Sequence, residues 1–276
     1  VTSIADSVFS GATALTTVQF PDTLKIIGLG SFSGCSGLTK IDLPYGMENL
    51  GMAAFSGCTG LTEVEIPETI VYIFESAFGG CTGLTHVEIP EGVTTLYGGF
   101  ENCTGLKSVE LPDSLVDLRG AFSGCTALES IDLPDSVEYL IETFEGCTGL
   151  KEIKLPNGLK EIGSWAFSGC TALTEVTIPD TVTEIGYEVF ADCTGLKKVH
   201  IPEGVTVIDS GAFMNCTALE KIDIPGTVTT IGEGAFRGCT GLKEVHIPIS
   251  VTKLIFEAGD LHSLKLTHAQ FIVPQA

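Results

Sequence analysis

The segment AFSGCTALTEVTIPDTVTEIG, residues 166–186, carries the pattern that decides the fold. The same pattern, A-F-x-G-C-T-x-L-x-x-V-x-I-P-x-x-V-x-x-I-G, returns with substitutions every 22 or 23 residues along the chain. All ten cysteines, eleven prolines and eleven phenylalanines keep this step. Periods of 20–50 residues are typical of solenoid proteins, in which each repeat forms one coil.

Each part of the repeat predicts a local structure. In L-x-x-V-x-I the apolar residues alternate with polar ones, which indicates a half-buried strand that the following proline ends. V-x-x-I-G directs a second apolar edge inward, and the Phe and Cys of F-x-G-C lie inside the next turn. One repeat cannot bury both edges, whereas stacked repeats can. We therefore expect a repeat solenoid of about eleven repeats, with parallel strands, short turns and little helix, as a single domain over residues 1–276.

The two ends of the chain depart from the repeat. Val1 begins in the middle of a V-x-x-I segment, so we expect a longer natural chain whose N-terminal part could carry a signal peptide. From about residue 249 the repeat degenerates. We expect a last strand at Leu261–Leu266 and a C-terminal cap that residues 267–276 complete.

The repeat L-x-x-V-x-I-P-x-x-V-x-x-I-G-x-x-A-F-x-x-C resembles the BspA-like leucine-rich repeat, also called the Treponema pallidum type, over residues 1 to about 266. The resemblance implies a curved right-handed solenoid with a parallel concave sheet. It also implies secreted or cell-surface proteins of bacteria and some protists that bind host proteins or other cells. The family has no catalytic motif and no residue motif for its ligands.

The composition excludes several partners. Fourteen basic against 35 acidic residues give a net charge of −21, which argues against nucleic acid and against anionic membrane surfaces. A proline or a charge interrupts every apolar stretch before it reaches the roughly 18 residues of a membrane span. We expect neither a membrane span nor a cofactor.

The ten cysteines leave three interpretations open. Buried thiols that pack as small apolar groups are favoured, because odd and even repeats look alike and in-register side chains keep their Cβ atoms too far apart for ordinary disulfides. Disulfides and metal binding are the alternatives, although no two cysteines are closer than 22 residues. Asn102-Cys103-Thr104 and Asn215-Cys216-Thr217 match the glycosylation pattern, but Asn there also simply replaces the Gly of the repeat.

An acidic column is the main candidate site. The residue between V and I of each strand should face solvent on the concave sheet, and in five successive repeats it is a carboxylate: Asp42, Glu65, Glu88, Glu110 and Asp132. Lys154 is the first basic residue in that column. The functional interpretation is a surface for a cationic partner, and the alternative is a solvated strand face.

A second candidate is a set of aromatic residues on the non-concave segment. In the middle repeats the Gly after V-x-x-I is absent and large side chains stand nearby. The candidates are Tyr72, Phe74, Tyr97, Tyr139 and Trp165. They either pack onto a tighter turn or form an exposed patch for a partner or a neighbouring protomer.

These observations predict a non-enzymatic module of a microbial cell-surface or secreted protein that binds protein partners. A passive spacer that presents another domain is the alternative. A carbohydrate-processing enzyme of the β-solenoid type is a remote third interpretation, since no motif specifies an active site.

Overall fold

Short parallel strands and turns build the fold. The computed structural model describes residues 1–254 and 268–271, and over these ranges it contains no helix. The chain divides into two units, residues 1–137 and 138–276. Each unit is a parallel β-solenoid, so the predicted fold class is confirmed, while the single domain stays a prediction.

In the first unit, the L-x-x-V-x-I segments form parallel strand pairs. These strands are β3 (Lys40–Asp42), β5 (Glu63–Glu65), β6 (His86–Glu88) and β7 (Ser108–Glu110). β3 pairs with β5 and β6 with β7, with equivalent repeat positions opposite one another. The central Ile41, Val64 and Val87 are buried and both flanking residues of each strand are exposed, as the alternating pattern predicts.

In the second unit the equivalent segments are β10 (Glu175–Thr177), β12 (Lys198–His200), β14 (Lys221–Ile222) and β16 (Glu244–Ile247). β10 pairs with β12 and β14 with β16, again in parallel. Equivalent positions of successive repeats therefore lie opposite one another in neighbouring coils.

The V-x-x-I segments form a second ladder of strands that the sequence analysis did not predict. In the first unit they are β1 (Ser3–Ile4), β2 (Ile26–Ile27) and β4 (Asn49–Leu50). In the second unit they are β8 (Tyr139–Leu140), β9 (Glu161–Ile162), β11 (Glu184–Ile185), β13 (Val207–Ile208), β15 (Thr230–Ile231) and β17 (Lys253–Leu254). These last six strands join into one parallel sheet.

The second ladder thins out in the later repeats of the first unit. Between β4 and the end of the first unit it consists only of isolated bridges, which link Tyr72 to Thr95 and Thr95 to Asp117.

A column of phenylalanine rings runs through the interior of each unit. In the first unit the rings of Phe32, Phe55 and Phe78 are fully buried and stack at centroid distances of 5.2 and 5.6 Å. In the second unit Phe167 stacks on Phe190 at 5.5 Å. Such ring pairs contribute about 0.5–1.5 kcal/mol beyond the burial of their area.

The ten cysteines are free and buried, as the favoured interpretation predicts. Their thiols also donate hydrogen bonds, which that interpretation missed. The Sγ of Cys81 lies 3.2 Å from the carbonyl oxygen of Phe55 in the preceding repeat, and the same oxygen accepts from the backbone nitrogen of Cys58 at 3.2 Å. A phenylalanine carbonyl oxygen that accepts two hydrogen bonds recurs in this way along each unit, and the bond from the thiol links neighbouring coils.

The residue before each cysteine has a positive φ, which explains why it is usually glycine. Asn102 and Asn215 adopt φ values of 57° and 59° at this position, so both replace the repeat glycine in a conformation that asparagine tolerates. The Asn215 side chain donates to Asp192 Oδ1 at 2.8 Å in the preceding repeat.

The end of the chain differs from the sequence expectation. β18 (His268–Phe271) pairs in parallel with β16, so the sheet continues into the segment for which only a cap was predicted. The predicted strand at Leu261–Leu266 lies outside the described residues.

Candidate binding surfaces

The acidic column of Asp42, Glu65, Glu88, Glu110 and Asp132 lies on the solvent side of the first unit, as predicted, and all five side chains are exposed. Asp42 is opposite Glu65 across β3 and β5, and Glu88 is opposite Glu110 across β6 and β7. Neighbouring strands are about 4.8 Å apart, so these carboxylates stand in close, in-register pairs. Like charges directly opposite one another destabilise a sheet.

Lys40, in the adjacent column, relieves part of this repulsion. Lys40 Nζ lies 2.9 Å from Glu63 Oε1, 3.2 Å from Asp42 and 3.5 Å from Glu65. The hydrogen bond to Glu63, and then the one to Asp42, raise the pKa of Lys40 above its ordinary value.

His86 has a similar position one pair further on. Its Nε2 lies 3.8 Å from Glu110 Oε1, and its Nδ1 shares a 2.9 Å hydrogen bond with Ser108 Oγ. The sequence analysis missed both groups because it considered the neighbouring columns only in the second half of the chain. The column two residues earlier in each strand contains Lys40 and His86 and would have identified them.

The corresponding face of the second unit carries mixed charge. A groove of 730 Å³ lies along β12 and β14 and is lined by Lys197, Lys198 and Lys221 as well as by Glu203, Glu220 and Asp223. Lys221 Nζ is 2.8 Å from Asp223 Oδ1 within its own strand. Three basic and three acidic side chains balance, so this groove does not select one sign of charge.

The aromatic candidates form two separate groups. In the first unit Tyr72, Phe74 and Tyr97 are 51%, 41% and 41% exposed. Tyr72 stacks on Phe74 with 5.6 Å between ring centroids, and Arg119 lies 5.5 Å over the ring of Tyr97. Tyr72 and Phe74 therefore contact one another, and all three side chains are exposed to solvent.

In the second unit Tyr139 and Trp165 are half-buried, and the structure adds Tyr187, which the sequence analysis did not single out. Trp165 meets Tyr187 edge to face at 5.3 Å. Tyr187 occupies the position of Tyr97 in its repeat, three residues before the phenylalanine, and that equivalence was the available signal.

The described residues hold no cluster of three or more His, Cys, Asp or Glu side chains that could bind a metal ion. In the same part of the chain, no helix has the length and apolar character to cross a membrane. Burial raises the pKa of the thiols, to about 12 for Cys193 and to about 12 for Cys103. Buried, protonated thiols are poor nucleophiles and poor metal ligands.

Comparison with known proteins identifies the repeat. Six copies of the BspA-type leucine-rich repeat region match, over residues 2–120, 97–171 and 141–265. The chain belongs to the BspA-type leucine-rich repeat family. Proteins of leucine-rich repeat families are generally non-enzymatic scaffolds, and their repeats typically mediate protein interactions. No curated protein matches the chain.

Several solved structures resemble this BspA-type chain. A leucine-rich cell surface protein from Faecalibacterium prausnitzii is 27% identical, with 98% of this chain and 87% of that chain covered and a TM-score of 0.56. A leucine-rich repeat protein from Bacteroides ovatus is 28% identical, with coverage of 84% and 79% and a TM-score of 0.53. The leucine-rich repeat protein of T. pallidum is 28% identical, with coverage of 74% and 77% and a TM-score of 0.51.

Proposed function

We propose that the chain is a non-enzymatic protein-binding module of a microbial cell-surface or secreted protein, and that the acidic column contacts a positively charged partner. Membership of the BspA-type family supports the general role. The resemblance to a cell surface protein of Faecalibacterium prausnitzii supports the location.

The observation that carries the proposal is the excess of exposed negative charge on one rigid face. The outward residues of β3, β5, β6 and β7 comprise five carboxylates and one lysine, so with neutral histidine their charge is −5 + 1 = −4. Lys40 bonds to the carboxylates of β3 and β5. Glu88 has no ion-pair partner within the described residues.

Because the strands fix these carboxylates in one plane, their fields add over the face instead of averaging out. A partner with complementary positive charge relieves the repulsion between them, so the repulsion in the free protein becomes part of the binding free energy. Electrostatic complementarity of this kind acts mainly on association rate and partner choice.

The experiment replaces Glu65, Glu88 and Glu110 together by Gln. Binding of the labelled protein to cultured epithelial cells and to immobilised extracellular matrix proteins is then measured at low and at physiological salt. We expect the triple variant to bind more weakly, and its association rate to depend less on salt, because exposed charges are screened beyond about 8–10 Å.

A matched control changes the same amount of charge in the same three repeats but off the sheet face: Glu68→Gln, Glu91→Gln and Asp113→Asn. All three residues are exposed after the repeat proline. The control should bind like the unmodified chain. If the two triple variants lose the same amount of binding affinity, the effect comes from net charge alone, and the acidic column is not the binding surface. A chain that binds none of the cells or proteins would favour the passive spacer.

A further inference from the structure

A groove on the second unit combines aromatic and polar side chains and takes no part in the proposed protein contact. Its volume is 420 Å³, within the range of about 300–1,000 Å³ that small-molecule sites occupy. Tyr139, Glu161 and Glu184 contribute from the V-x-x-I sheet, and Tyr187 and Asp209 from the turns that follow it. Three parallel strands, β8, β9 and β11, fix the sheet side of the groove.

The aromatic side of the groove is held rigidly by hydrogen bonds. Trp165 meets Tyr187 edge to face at 5.3 Å, and its Nε1 donates to Glu188 Oε2 at 3.0 Å. The Tyr187 hydroxyl is also hydrogen-bonded to Glu188, which raises the pKa of Tyr187. One carboxylate therefore orients both rings, while 38% of Tyr187 remains exposed to solvent.

The backbone at Trp165 is strained. Its φ is +54°, in the left-handed region where a bulky residue is an outlier. The equivalent residues one repeat earlier and one repeat later are Glu142 and Glu188, with φ values of 55° and 51°, and two and three repeats later they are Gly211 and Gly234. The left-handed backbone is therefore a feature of the repeat, and it sets the direction of the Trp165 side chain.

The lining indicates the chemistry of the ligand. Exposed aromatic rings pack against the apolar C–H faces of flat or ring-shaped ligands. Ser164 and Thr183 offer hydroxyls, and the carboxylates of Glu161, Glu184 and Asp209 accept hydrogen bonds. Lys160 is the one basic residue of the lining, and its Nζ is paired with Glu138 Oε2 at 2.7 Å. The three carboxylates therefore disfavour phosphate and sulfate groups, and so many polar groups disfavour a purely apolar ligand.

We propose that this groove binds a neutral glycan, with a sugar ring against Tyr187 and its hydroxyls donating to the groove carboxylates. The site is independent of the acidic column, because all of its residues belong to the second unit. Glu188 acts as a positioning residue, since it holds the two rings without lining this groove.

The chain provides its own reporter for the test, because Trp165 is the only tryptophan. The intact chain is titrated with neutral linear oligosaccharides of glucose, xylose, mannose and N-acetylglucosamine, and tryptophan fluorescence is recorded. We expect a saturable change with at least one of them. Tyr187→Ala should weaken binding about tenfold through loss of the ring contact, whereas Tyr187→Phe, which keeps the ring, should bind closer to the unmodified chain.

Tyr45→Ala is the matched control, because Tyr45 is 73% exposed and lies in the first unit. It should leave glycan binding unchanged, and calorimetry should report the same affinities as fluorescence. Thermal unfolding of each variant verifies that it is folded.

Three outcomes would overturn the proposal. The first is that no oligosaccharide in the panel gives a saturable change. The second is that the folded Tyr187→Ala variant binds as tightly as the unmodified chain. The third is a fluorescence response only to an arginine-rich peptide, abolished by salt, which would make the groove a cation site.

Discussion

The buried thiols predict that this protein loses stability in mild alkali. Burial raises the pKa of Cys170 well above the ordinary thiol value of 9.0 and that of Cys193 to about 12. For Cys216, a hydrogen bond with Cys239 and then burial raise the pKa. In the folded chain these groups stay protonated at a pH where the unfolded chain has begun to ionise.

The sign and the size follow from proton linkage. Because the folded pKa is above the unfolded one, the stabilisation is complete below pH 9 and is lost as the pH rises toward the folded pKa. At pH 10 each such thiol favours the unfolded state by roughly 1 kcal/mol, so the three together remove a few kcal/mol. Typical domains have only about 5–15 kcal/mol in total.

The assay is urea unfolding at intervals between pH 7 and pH 10, with reductant present and Trp165 fluorescence as the probe of the second unit. The free energy of unfolding should be level up to pH 8 and a few kcal/mol lower by pH 10. Cys193→Ala should show a shallower fall, by about one third, from a lower starting value. A free energy that is the same at pH 7 and pH 10, or a variant with the full slope, would contradict the reasoning.

Two further predictions concern the interior. Phe167→Ala should lower the free energy of unfolding by about 3–5 kcal/mol, since the buried ring stacks on both Phe144 and Phe190. Phe9→Ala should cost less, because the Phe9 side chain is 40% exposed. Equal losses in urea titrations would argue against a stabilising phenylalanine column. Thiol labelling should be negligible in the native protein and should reach all ten cysteines in denaturant without reductant. A lower number would reveal disulfides.

The repeat made the stacking and the buried columns predictable. The regular period aligns every Phe, Cys and Leu of one coil with the same residue of the next. A single repeat such as residues 166–186 therefore predicts the interior of the other repeats. The second ladder was missed because V-x-x-I offers only two residues for pairing, too few to show a strand period. Pairing there depends on the neighbouring coil rather than on the segment itself.

The candidate sites were predictable in position but not in detail. The period placed Asp42 through Asp132 on one exposed face, yet it could not show that the Lys40 side chain reaches three carboxylates. Exposure of Tyr72 and the bond from Trp165 to Glu188 depend on side-chain direction and on left-handed backbone positions. These properties are set by three-dimensional contacts between repeats, which an alignment of the repeat sequences does not show.

The phenylalanine carbonyl oxygens that accept two hydrogen bonds have a consequence for how such a chain can change its length. Within each unit the thiol and the oxygen it reaches belong to the same two positions of successive repeats. A recombination event that removes or duplicates one whole coil therefore leaves a seam in which every donor again faces its acceptor. A change within one coil keeps the pattern only where a turn absorbs it: the repeats that lack one residue between Pro and Phe still place Cys103 3.1 Å from the Phe78 oxygen and Cys125 3.3 Å from the Phe100 oxygen.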